Sequence, residues 1–321
     1  MNGIPEEVER LARKRAEARE ARDFGRADML RDRIAAAGWS VVDEPKGYRL
    51  ERLEQAELQV ARPVPASEVS SVLEDPPTTD ASVHWVVEGW PEDVERALAA
   101  FRTHAAGRSI QFVVADLTGA DPGRWEDDVD VLSLPADTGW AAARNAGLKR
   151  STGRVVLAVD GSIEPVGDVV GPLESALEDP GVGIAGPFGV VTRDLREFEE
   201  APGPGDCDAI EGYLMAFRRD VLSAVGLFDE KFKWYRTADI EYSFRVKDAG
   251  FRTVVVPVPV ERHEHQMWFN TLPSERAKWS KRNFYRFLDR WRDRWDLCIS
   301  PEPTGSGATQ DDAGDRPVEK S

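Results

Sequence analysis

The chain has 321 residues and a formal net charge of −16. Its hydrophobic content of 41% and its ten Trp residues indicate a packed globular protein, and no apolar run reaches the roughly 20 residues of a membrane-spanning helix. The acidic balance argues against general nucleic-acid binding, because affinity for phosphate requires a basic surface. Two cysteines without metal-ligand spacing and the lack of a signal-peptide core predict a cytoplasmic protein with free thiols at Cys207 and Cys298.

The first fifty residues are highly charged and rich in Ala, Glu and Arg. Apolar residues recur at helical spacing before and after Asp23-Phe24-Gly25. This spacing predicts a helical hairpin whose second helix ends at Gly38, with a short strand or extended segment at residues 39–43.

A spaced set of residues marks this hairpin: Arg19, Arg22, Asp23, Phe24, Ala27, Asp28, Arg31, Asp32, Gly38, Val41 and Asp43. The set resembles the small C-terminal helical module of bacterial cysteinyl-tRNA synthetases. Nothing resembling the catalytic body of a synthetase follows, so the resemblance implies a borrowed helical module at residues 1–50 that contacts an RNA or a protein partner. The alternative is a solvated hairpin that packs on the main domain or on another copy of the chain.

Residues 51–80 are rich in Pro, Ser, Thr and Glu and are predicted to form a linker. Beyond them, predicted strands and helices alternate. The strands are expected at residues 82–87, 110–115, 129–134, 155–159 and 182–185, and the helices at residues 91–101, 140–149 and 169–177. This alternation predicts an α/β fold with a mostly parallel central sheet that is covered by helices on both faces.

The remaining chain is less regular. Residues 187–209 are acidic and rich in Gly and Pro, and are predicted to be a mobile loop over the site. A strand at residues 213–217, helices at 220–225 and 238–249 and a strand at 253–258 follow. Residues 297–321 are predicted to be disordered.

An aromatic stripe lies near the C-terminus, on one face of a predicted helix rich in Arg and Lys: Phe284, Phe287, Leu288, Trp291 and Trp295. Its spacing favours core packing. The alternative is peripheral membrane contact through residues 278–295.

The strand at residues 155–159 ends at Asp160-Gly161-Ser162. In an open α/β sheet the ligand crevice lies at the carboxyl ends of the strands. Asp160 is therefore expected at the edge of that crevice, where Gly161 lets a ligand or metal approach the backbone. The alternative is a plain turn after a strand.

Further polar residues follow at strand ends and helix starts. Asp116 closes a strand, Arg144-Asn145 lies on the helix before the central strand, Gly226-Leu227-Phe228-Asp229-Glu230 precedes Ala238-Asp239-Ile240-Glu241, and His263 follows the last strand. This ordered set, over about residues 81–268, strongly resembles the family 2 glycosyltransferases of the GT-A fold, in particular the rhamnosyltransferase-like branch.

The resemblance implies a role for each residue on the donor side. Asp116 would accept a hydrogen bond from the nucleobase of the donor, and Arg144 and Asn145 would line the nucleotide pocket. Asp160 would occupy the Asp-x-Asp position that binds Mg2+ or Mn2+, while Ser162 stands where a second acid is common.

On the acceptor side, Asp239 matches the general base and Glu241 its acidic neighbour. His263 matches a histidine that completes the metal site, and His265 is a rival two residues away. Ala238 stands where members of the family often have Glu. For Asp239, the alternative is an ordinary acidic first turn of a helix.

These roles imply an inverting transfer of a sugar from a nucleotide-sugar donor to a cell-envelope glycan or a lipid-linked acceptor, by a cytoplasmic protein that is at most peripheral at the inner face of the membrane. A carboxylate can take the proton of the acceptor hydroxyl, and a bound cation can offset the charge of the departing diphosphate. The alternative is a non-catalytic scaffold, which Ser162 and Ala238 favour, whereas Asp160, Asp239 and His263 favour the enzyme.

Overall fold

The computed structural model describes residues 4–20, 27, 30–31, 34, 39–44, 47–52, 63–119, 124–126 and 128–300. The chain divides into two compact units, residues 1–62 and residues 63–321. Each unit has its own hydrophobic core.

The first unit contains helix α1 (Glu6–Glu20) and an antiparallel hairpin of β1 (Trp39–Glu44) and β2 (Gly47–Arg52). Residues 27, 30, 31 and 34 are helical, while the rest of the predicted second helix and its end at Gly38 lie outside the described residues. The core of the unit joins three apolar groups: Val8, Leu11 and Ala12 of α1, Leu30 and Ile34, and Trp39, Val41, Tyr48 and Leu50 of the hairpin. Strand β1 coincides with the strand predicted at residues 39–43.

Part of the predicted linker belongs to the second unit. Ala66, Val69 and Leu73 are buried in its core. The backbone N–H of Val72 donates to the Lys149 carbonyl at 2.8 Å, and the buried guanidinium of Arg219 donates to the Leu73 carbonyl at 2.9 Å. The linker prediction for residues 63–78 is therefore wrong, because three buried apolar residues fix this Pro-rich segment to the main domain.

The second unit alternates strands and helices, as predicted. Its helices are α2 (Pro91–Thr103), α3 (Trp140–Arg150), α4 (Val170–Leu177), α5 (Arg219–Val225), α6 (Ala238–Asp248), α7 (Gln266–Asn270) and α8 (Pro273–Trp291). Its strands are β3 (Thr79–Val87), β4 (Ile110–Asp116), β5 (Val129–Ser133), β6 (Gly153–Val159), β7 (Ile163–Pro165), β8 (Val182–Gly186), β9 (Gly189–Val191), β10 (Glu199–Glu200), β11 (Gly205–Cys207), β12 (Ala209–Ile210), β13 (Leu214–Arg218), β14 (Arg252–Val255) and β15 (Val260–Arg262).

Eight strands form the central sheet in the order β11-β14-β8-β13-β6-β3-β4-β5. Strands β6, β3, β4 and β5 run parallel to one another, as do β8 and β14, while β13 is antiparallel to both β6 and β8. The predicted α/β class with a mostly parallel sheet is confirmed. Because β13 runs backwards, its amino end meets the carboxyl end of β6, and this places residues 211–213 beside Asp160.

The sheet is covered on both faces. One core contains Trp85 of β3, whose ring packs edge-on against Phe101 of α2 at a centroid distance of 5.5 Å. The other contains Phe217 of β13 and Tyr242 of α6, with centroids 5.5 Å apart. A sheet buried on both faces exposes its loops at the strand ends, which is where the polar residues of the candidate site collect.

Residues 187–209, predicted to be a mobile loop, carry short strands instead. Strand β9 pairs antiparallel with β10 and β12. The buried carboxylate of Asp208 accepts from the Thr192 N–H at 2.8 Å and lies 2.8 Å from Lys247 Nζ. This ion pair holds the end of the segment against α6, so the segment is more regular than the loop prediction allowed.

The aromatic stripe packs in the hydrophobic core, as its spacing favoured. Phe287, Leu288 and Trp291 of α8 are buried against Phe244 of α6. Within the described residues, no helix is both long enough and apolar enough to cross a membrane. Of the predicted disordered tail, residues 301–321 lie outside the described residues.

Candidate active site

Asp160 stands at the carboxyl end of β6, where its N–H donates to the Tyr213 carbonyl at 2.9 Å. Its Oδ1 accepts from the N–H and the hydroxyl of Ser162, at 2.9 and 2.5 Å, and its Oδ2 lies 3.3 Å from His265 Nε2. Desolvation acts to raise the pKa of Asp160, but the bonds from His265 and Ser162 outweigh it and lower the pKa to about 2. The carboxylate is therefore anionic at neutral pH.

The histidine beside Asp160 is His265, not His263. The N–H of His263 donates to the Ser162 carbonyl at 2.8 Å and so extends the pairing of β15 with β7, and its Nε2 lies 2.8 Å from Glu164. The chain leaves this ladder two residues later, and His265 turns towards Asp160 as the residue that caps α7. The predicted pairing of Asp160 with His263 is thus corrected in favour of the rival.

Arg144 lies in the protein interior next to Asp160. Its guanidinium is buried, donates to the carbonyls of His84 at 3.0 Å and Val159 at 3.3 Å, and stacks over Trp140 with 5.1 Å to the ring centroid. Burial lowers the pKa of Arg144 to about 10, so the side chain remains charged. Arg144 therefore holds the backbone next to Asp160 and supplies positive charge from below, rather than lining an open pocket.

Glu88 is a site residue that the sequence reasoning missed. It follows β3 at the edge where Asp160 follows β6, and it interacts electrostatically with Arg144, Asp160 and His265. Its side chain is exposed to solvent, but the protein around it desolvates the carboxyl and raises its pKa to about 7. The signal that could have found Glu88 is its place directly after the predicted first strand.

Asp116 and Asn145 are both tied into the protein. Asp116 is only 4% exposed and accepts from Thr118 and from the Trp125 indole N–H at 3.1 Å. The amide of Asn145 donates to the Phe228 carbonyl and accepts from the Phe228 N–H, both at 2.9 Å. Asn145 thereby fixes the Gly-Leu-Phe-Asp-Glu segment, whereas Asp116 stands at the carboxyl end of β4.

Asp239 lies in the first turn of α6. Its Oδ2 accepts from the Gly212 N–H at 2.7 Å and its Oδ1 from the Ile240 N–H at 2.9 Å. Desolvation raises the pKa of Asp239 despite these bonds. A second carboxylate missed by the sequence reasoning, Glu211, is next to it, and desolvation together with repulsion from Asp239 raises the pKa of Glu211 to about 7.

Two tyrosines lie near both Asp160 and Asp239. The rings of Tyr213 and Tyr235 flank His265, at centroid distances of 6.0 and 4.5 Å. Both hydroxyls interact electrostatically with Asp160 and with Asp239. Asp160 and Asp239 therefore both lie close to this pair of aromatic rings.

Glu241 is turned away from this cleft. Its carboxylate is 2% exposed and forms ion pairs with Arg245 at 3.1 Å and Arg290 at 3.0 Å. One helical turn separates Arg245 from Glu241, and Arg290 lies on α8. The prediction of Glu241 as a catalytic neighbour of Asp239 is corrected, since its carboxylate belongs to a buried ion pair between two helices. The two acids differ because residues two positions apart on a helix face different directions.

The side chains around Asp160 supply too few coordinating atoms to hold a divalent cation without further ligands from a bound substrate or water. Among the described residues there is no group of three or more His, Cys, Asp or Glu side chains that could hold a metal ion. A carboxylate oxygen of Asp160 and a ring nitrogen of His265 nevertheless match the ligands of Mn2+, and Mg2+ is often held by one or two carboxylates plus substrate phosphates. The residues therefore fit a cation whose remaining ligands are diphosphate oxygens and water.

Comparison with known proteins first concerns the N-terminal unit. Residues 1–49 match the family described as the cysteinyl-tRNA ligase anticodon binding domain. The chain is 56% identical over 48 residues to the cysteine–tRNA ligase of Opitutus terrae, which is 15% of this chain and 10% of the ligase. It is 42% identical over 50 residues to that of Caldicellulosiruptor saccharolyticus, which is 16% of this chain and 11% of the ligase. The predicted resemblance is confirmed, and the chain spans only about a tenth of these relatives.

The fold has glycosyltransferases among its structural neighbours. The crystal structure of GalNAc-T7 with UDP, GalNAc and Mn2+ aligns with a TM-score of 0.53 and 17% identity, over 70% of this chain and 49% of that one. The mannosyltransferase PcManGT from Pyrobaculum calidifontis, in complex with GDP-Man and Mn2+, aligns with a TM-score of 0.43 and 17% identity, over 70% of this chain and 77% of that one. The first alignment confirms the predicted GT-A fold.

Proposed function

We propose that the chain is a metal-dependent, inverting glycosyltransferase that moves a sugar from a nucleotide-sugar donor to a glycan or lipid-linked acceptor. The observation that carries the proposal is that an ionised Asp160 and a desolvated Asp239 both lie close to Tyr213 and Tyr235. Two carboxylates of different character at one cleft suit two different tasks, one beside the donor and one beside the acceptor. The GT-A fold supports this assignment.

On the donor side, Asp160 and His265 would hold the cation against the diphosphate of the donor. When bound, Mg2+ or Mn2+ would offset negative charge on the departing diphosphate. Arg144 contributes fixed positive charge and holds the backbone that precedes Asp160. Asp116, at the carboxyl end of β4, has one carboxylate that already accepts three protein bonds and would accept a further bond from the nucleobase.

On the acceptor side, Asp239 would act as general base. As the acceptor oxygen attacks the anomeric carbon, its proton passes to the Asp239 carboxylate. The bond between that carbon and the diphosphate oxygen breaks on the opposite face, and this single displacement inverts the configuration. Desolvation strengthens Asp239 as a base, because it raises the pKa towards the working pH.

The first test is nucleotide binding by the full chain. Thermal unfolding is followed with UDP, GDP, dTDP and their sugar conjugates, with and without Mn2+. A ligand that binds the native state raises the unfolding temperature, so we expect a Mn2+-dependent increase with one nucleotide, lost in Asp160→Ala. Asp220→Ala, at an exposed position on α5, is the matched control and should retain the increase. The proposal fails if no nucleotide raises the unfolding temperature.

A second candidate is a non-catalytic scaffold whose N-terminal module binds RNA or a protein partner. Ser162 and Ala238, which replace acids of the family pattern, favour it, as does the match of residues 1–49 to an anticodon binding domain. This candidate predicts no turnover of any nucleotide sugar, and RNA or partner binding that survives Asp160→Ala and Asp239→Asn. Hydrolysis or transfer that both substitutions abolish would exclude it.

A further inference from the structure

The turn between α7 and α8 exposes apolar side chains beside a row of cations. Phe269 and Leu272 are 61% and 64% exposed, the highest values among the large apolar side chains that the structure describes. About two to three turns further along the chain, on α8, come the exposed Lys278, Lys281 and Arg282. We call these five residues the basic edge.

The cations of the basic edge lie on the face of α8 opposite to the core. Phe287, Leu288 and Trp291 point inward and are buried, so the aromatic stripe itself is unavailable to a membrane. The exposed face carries Tyr285, which is 54% exposed and lies under Lys281 Nζ with 5.9 Å to the ring centroid. Any contact made by α8 must therefore use the cationic face and the turn before it.

The cations of the basic edge have no acidic partners within the described part of the chain. Lys278, Lys281 and Arg282 make no ion pair with any residue that the structure describes, whereas exposed arginines elsewhere, such as Arg154 and Arg252, do. From residue 273 to residue 286 the sequence has five basic side chains and one acidic side chain, Glu275. In a chain of net charge −16, this is a local basic surface that calls for an anionic partner.

The basic edge adjoins the cleft through Trp268. The guanidinium groups of Arg236 and Arg276 stack on its ring, at 5.0 and 4.4 Å from the centroid. The backbone N–H of Trp268 donates to Nδ1 of His265 at 3.2 Å. A surface seated on the basic edge would therefore lie next to the mouth of the cleft.

We propose that the basic edge docks on an anionic lipid bilayer, with Phe269 and Leu272 entering the headgroup region and Lys278, Lys281 and Arg282 facing lipid phosphates. Exposed apolar groups beside unpaired cations are the features of interfacial binding, and each Lys or Arg near an anionic leaflet adds about fivefold to the affinity. An RNA partner is less suited, because stacking on bases needs aromatic faces and Leu272 has none. The proposal does not depend on catalysis.

The test is co-sedimentation of the full chain with vesicles at low ionic strength. We expect binding to vesicles of equal parts phosphatidylcholine and phosphatidylglycerol, release by salt, and no binding to phosphatidylcholine alone. Lys281→Glu/Arg282→Glu should reduce the affinity at least tenfold. The matched control, Arg193→Glu/Arg196→Glu, reverses two exposed arginines between β9 and β10 and should change the affinity less than twofold.

The apolar part is tested by Phe269→Ser/Leu272→Ser, which should also weaken binding, whereas Val166→Ser at another exposed position should not. Unfolding temperatures of all variants check that they fold. The proposal is overturned if the wild type does not sediment with anionic vesicles, if both charge-reversal variants lose affinity equally, or if Lys281→Glu/Arg282→Glu abolishes binding to RNA and leaves binding to vesicles intact. Nucleotide binding is measured in parallel, so that failure here is distinct from failure of the proposed activity.

Discussion

The Nε2 atom of His265 lies 3.3 Å from Oδ2 of Asp160, while the imidazole stacks on Tyr235 with ring centroids 4.5 Å apart. This contact joins the end of β6 to the start of α7, across about a hundred residues of chain. It also orients the free face of the Asp160 carboxylate, because Ser162 holds the other oxygen. The surroundings of Asp160 are therefore built by tertiary contacts rather than by one local motif.

His265 and His263 are predicted to differ in their effect on donor binding. His265→Ala removes the nitrogen that we propose as a metal ligand beside Asp160, so the Mn2+-dependent rise in unfolding temperature with nucleotide should disappear. His263→Ala removes only a contact to Glu164 and should preserve the rise. The opposite result for the two variants would restore His263 as the metal ligand.

Asp239→Asn should separate binding from chemistry. The amide keeps one oxygen to accept from Gly212 or Ile240 but cannot take the proton of the acceptor. General-base catalysis contributes roughly 10²–10⁴-fold, so we expect turnover to fall by about that factor with donor affinity within threefold of the wild type. Initial rates and nucleotide titrations measure the two quantities. Undiminished turnover would remove Asp239 from the mechanism.

Glu241 should act on stability and leave nucleotide binding unchanged. Glu241→Gln leaves Arg245 without its buried partner, and breaking a buried pair costs about 3 kcal/mol. Arg290→Gln removes the half-exposed partner from the same carboxylate and should cost less, about 1 kcal/mol. Urea unfolding followed by Trp fluorescence measures both costs. Lost turnover in a Glu241→Gln protein of wild-type stability would return Glu241 to the chemistry.

The sequence was a good guide wherever local pattern decides structure. The apolar run at residues 155–159 and the following Asp160 gave the central strand and its end, and the acids after Thr237 gave the start of α6. Local pattern could not decide between His263 and His265, since that choice depends on the register of β15 with β7. Nor could it distinguish Asp239 from Glu241, because both suit a first turn and only the packing of α8 shows which one is buried.

The predictions made from composition failed for two segments, and for the same physical reason. Residues 63–78 and 187–209 are rich in Pro and Gly, and composition alone predicts flexible chain. Both are anchored by a few buried side chains with distant partners, Leu73 and Arg219 in the first case and Asp208 and Lys247 in the second. Such contacts join residues about 40 or more positions apart, and no short window of sequence shows them.

Glu211 is predicted to give the fold a measurable pH dependence. The pKa of its carboxyl is about 7 in the folded protein, above its ordinary value of 4.5. The folded state therefore binds this proton more tightly than the unfolded state, and the contribution of Glu211 to stability is present at low pH and is lost as the pH rises from about 4.5 to about 7. Allowing for the solvent that reaches the side chain, the loss is about 1–2 kcal/mol.

Glu211→Gln should remove that part of the pH dependence. Urea unfolding at several values between pH 5 and pH 7.5 would show a smaller decline in the variant than in the wild type. Glu197→Gln, at an exposed position, is the control and should follow the wild type. Identical declines in all three proteins would contradict the assignment.

A side chain at Gly147 should destabilise the fold, because α3 packs directly on β3 at this position. A Cβ added to Gly147 would overlap the imidazole ring of His84, which is fully buried. Overpacking of this kind costs about 1–3 kcal/mol. Gly147→Ala should also weaken nucleotide binding, because α3 carries the Arg144 guanidinium that bonds to the Val159 carbonyl.

The overlap can be tested by making room for it. His84→Ala alone leaves a cavity and should lower stability, but in the Gly147→Ala background it removes the clash. The double variant should therefore be more stable than the sum of the two single effects predicts, with a coupling energy of about 2 kcal/mol. Urea unfolding of the four proteins gives this coupling, and nucleotide titrations show whether the position of Arg144 is recovered with it. Strictly additive costs would mean that α3 moves away from β3 without resistance, so that the added methyl group does not clash with His84. The support of Asp160 by Arg144 would then need another explanation.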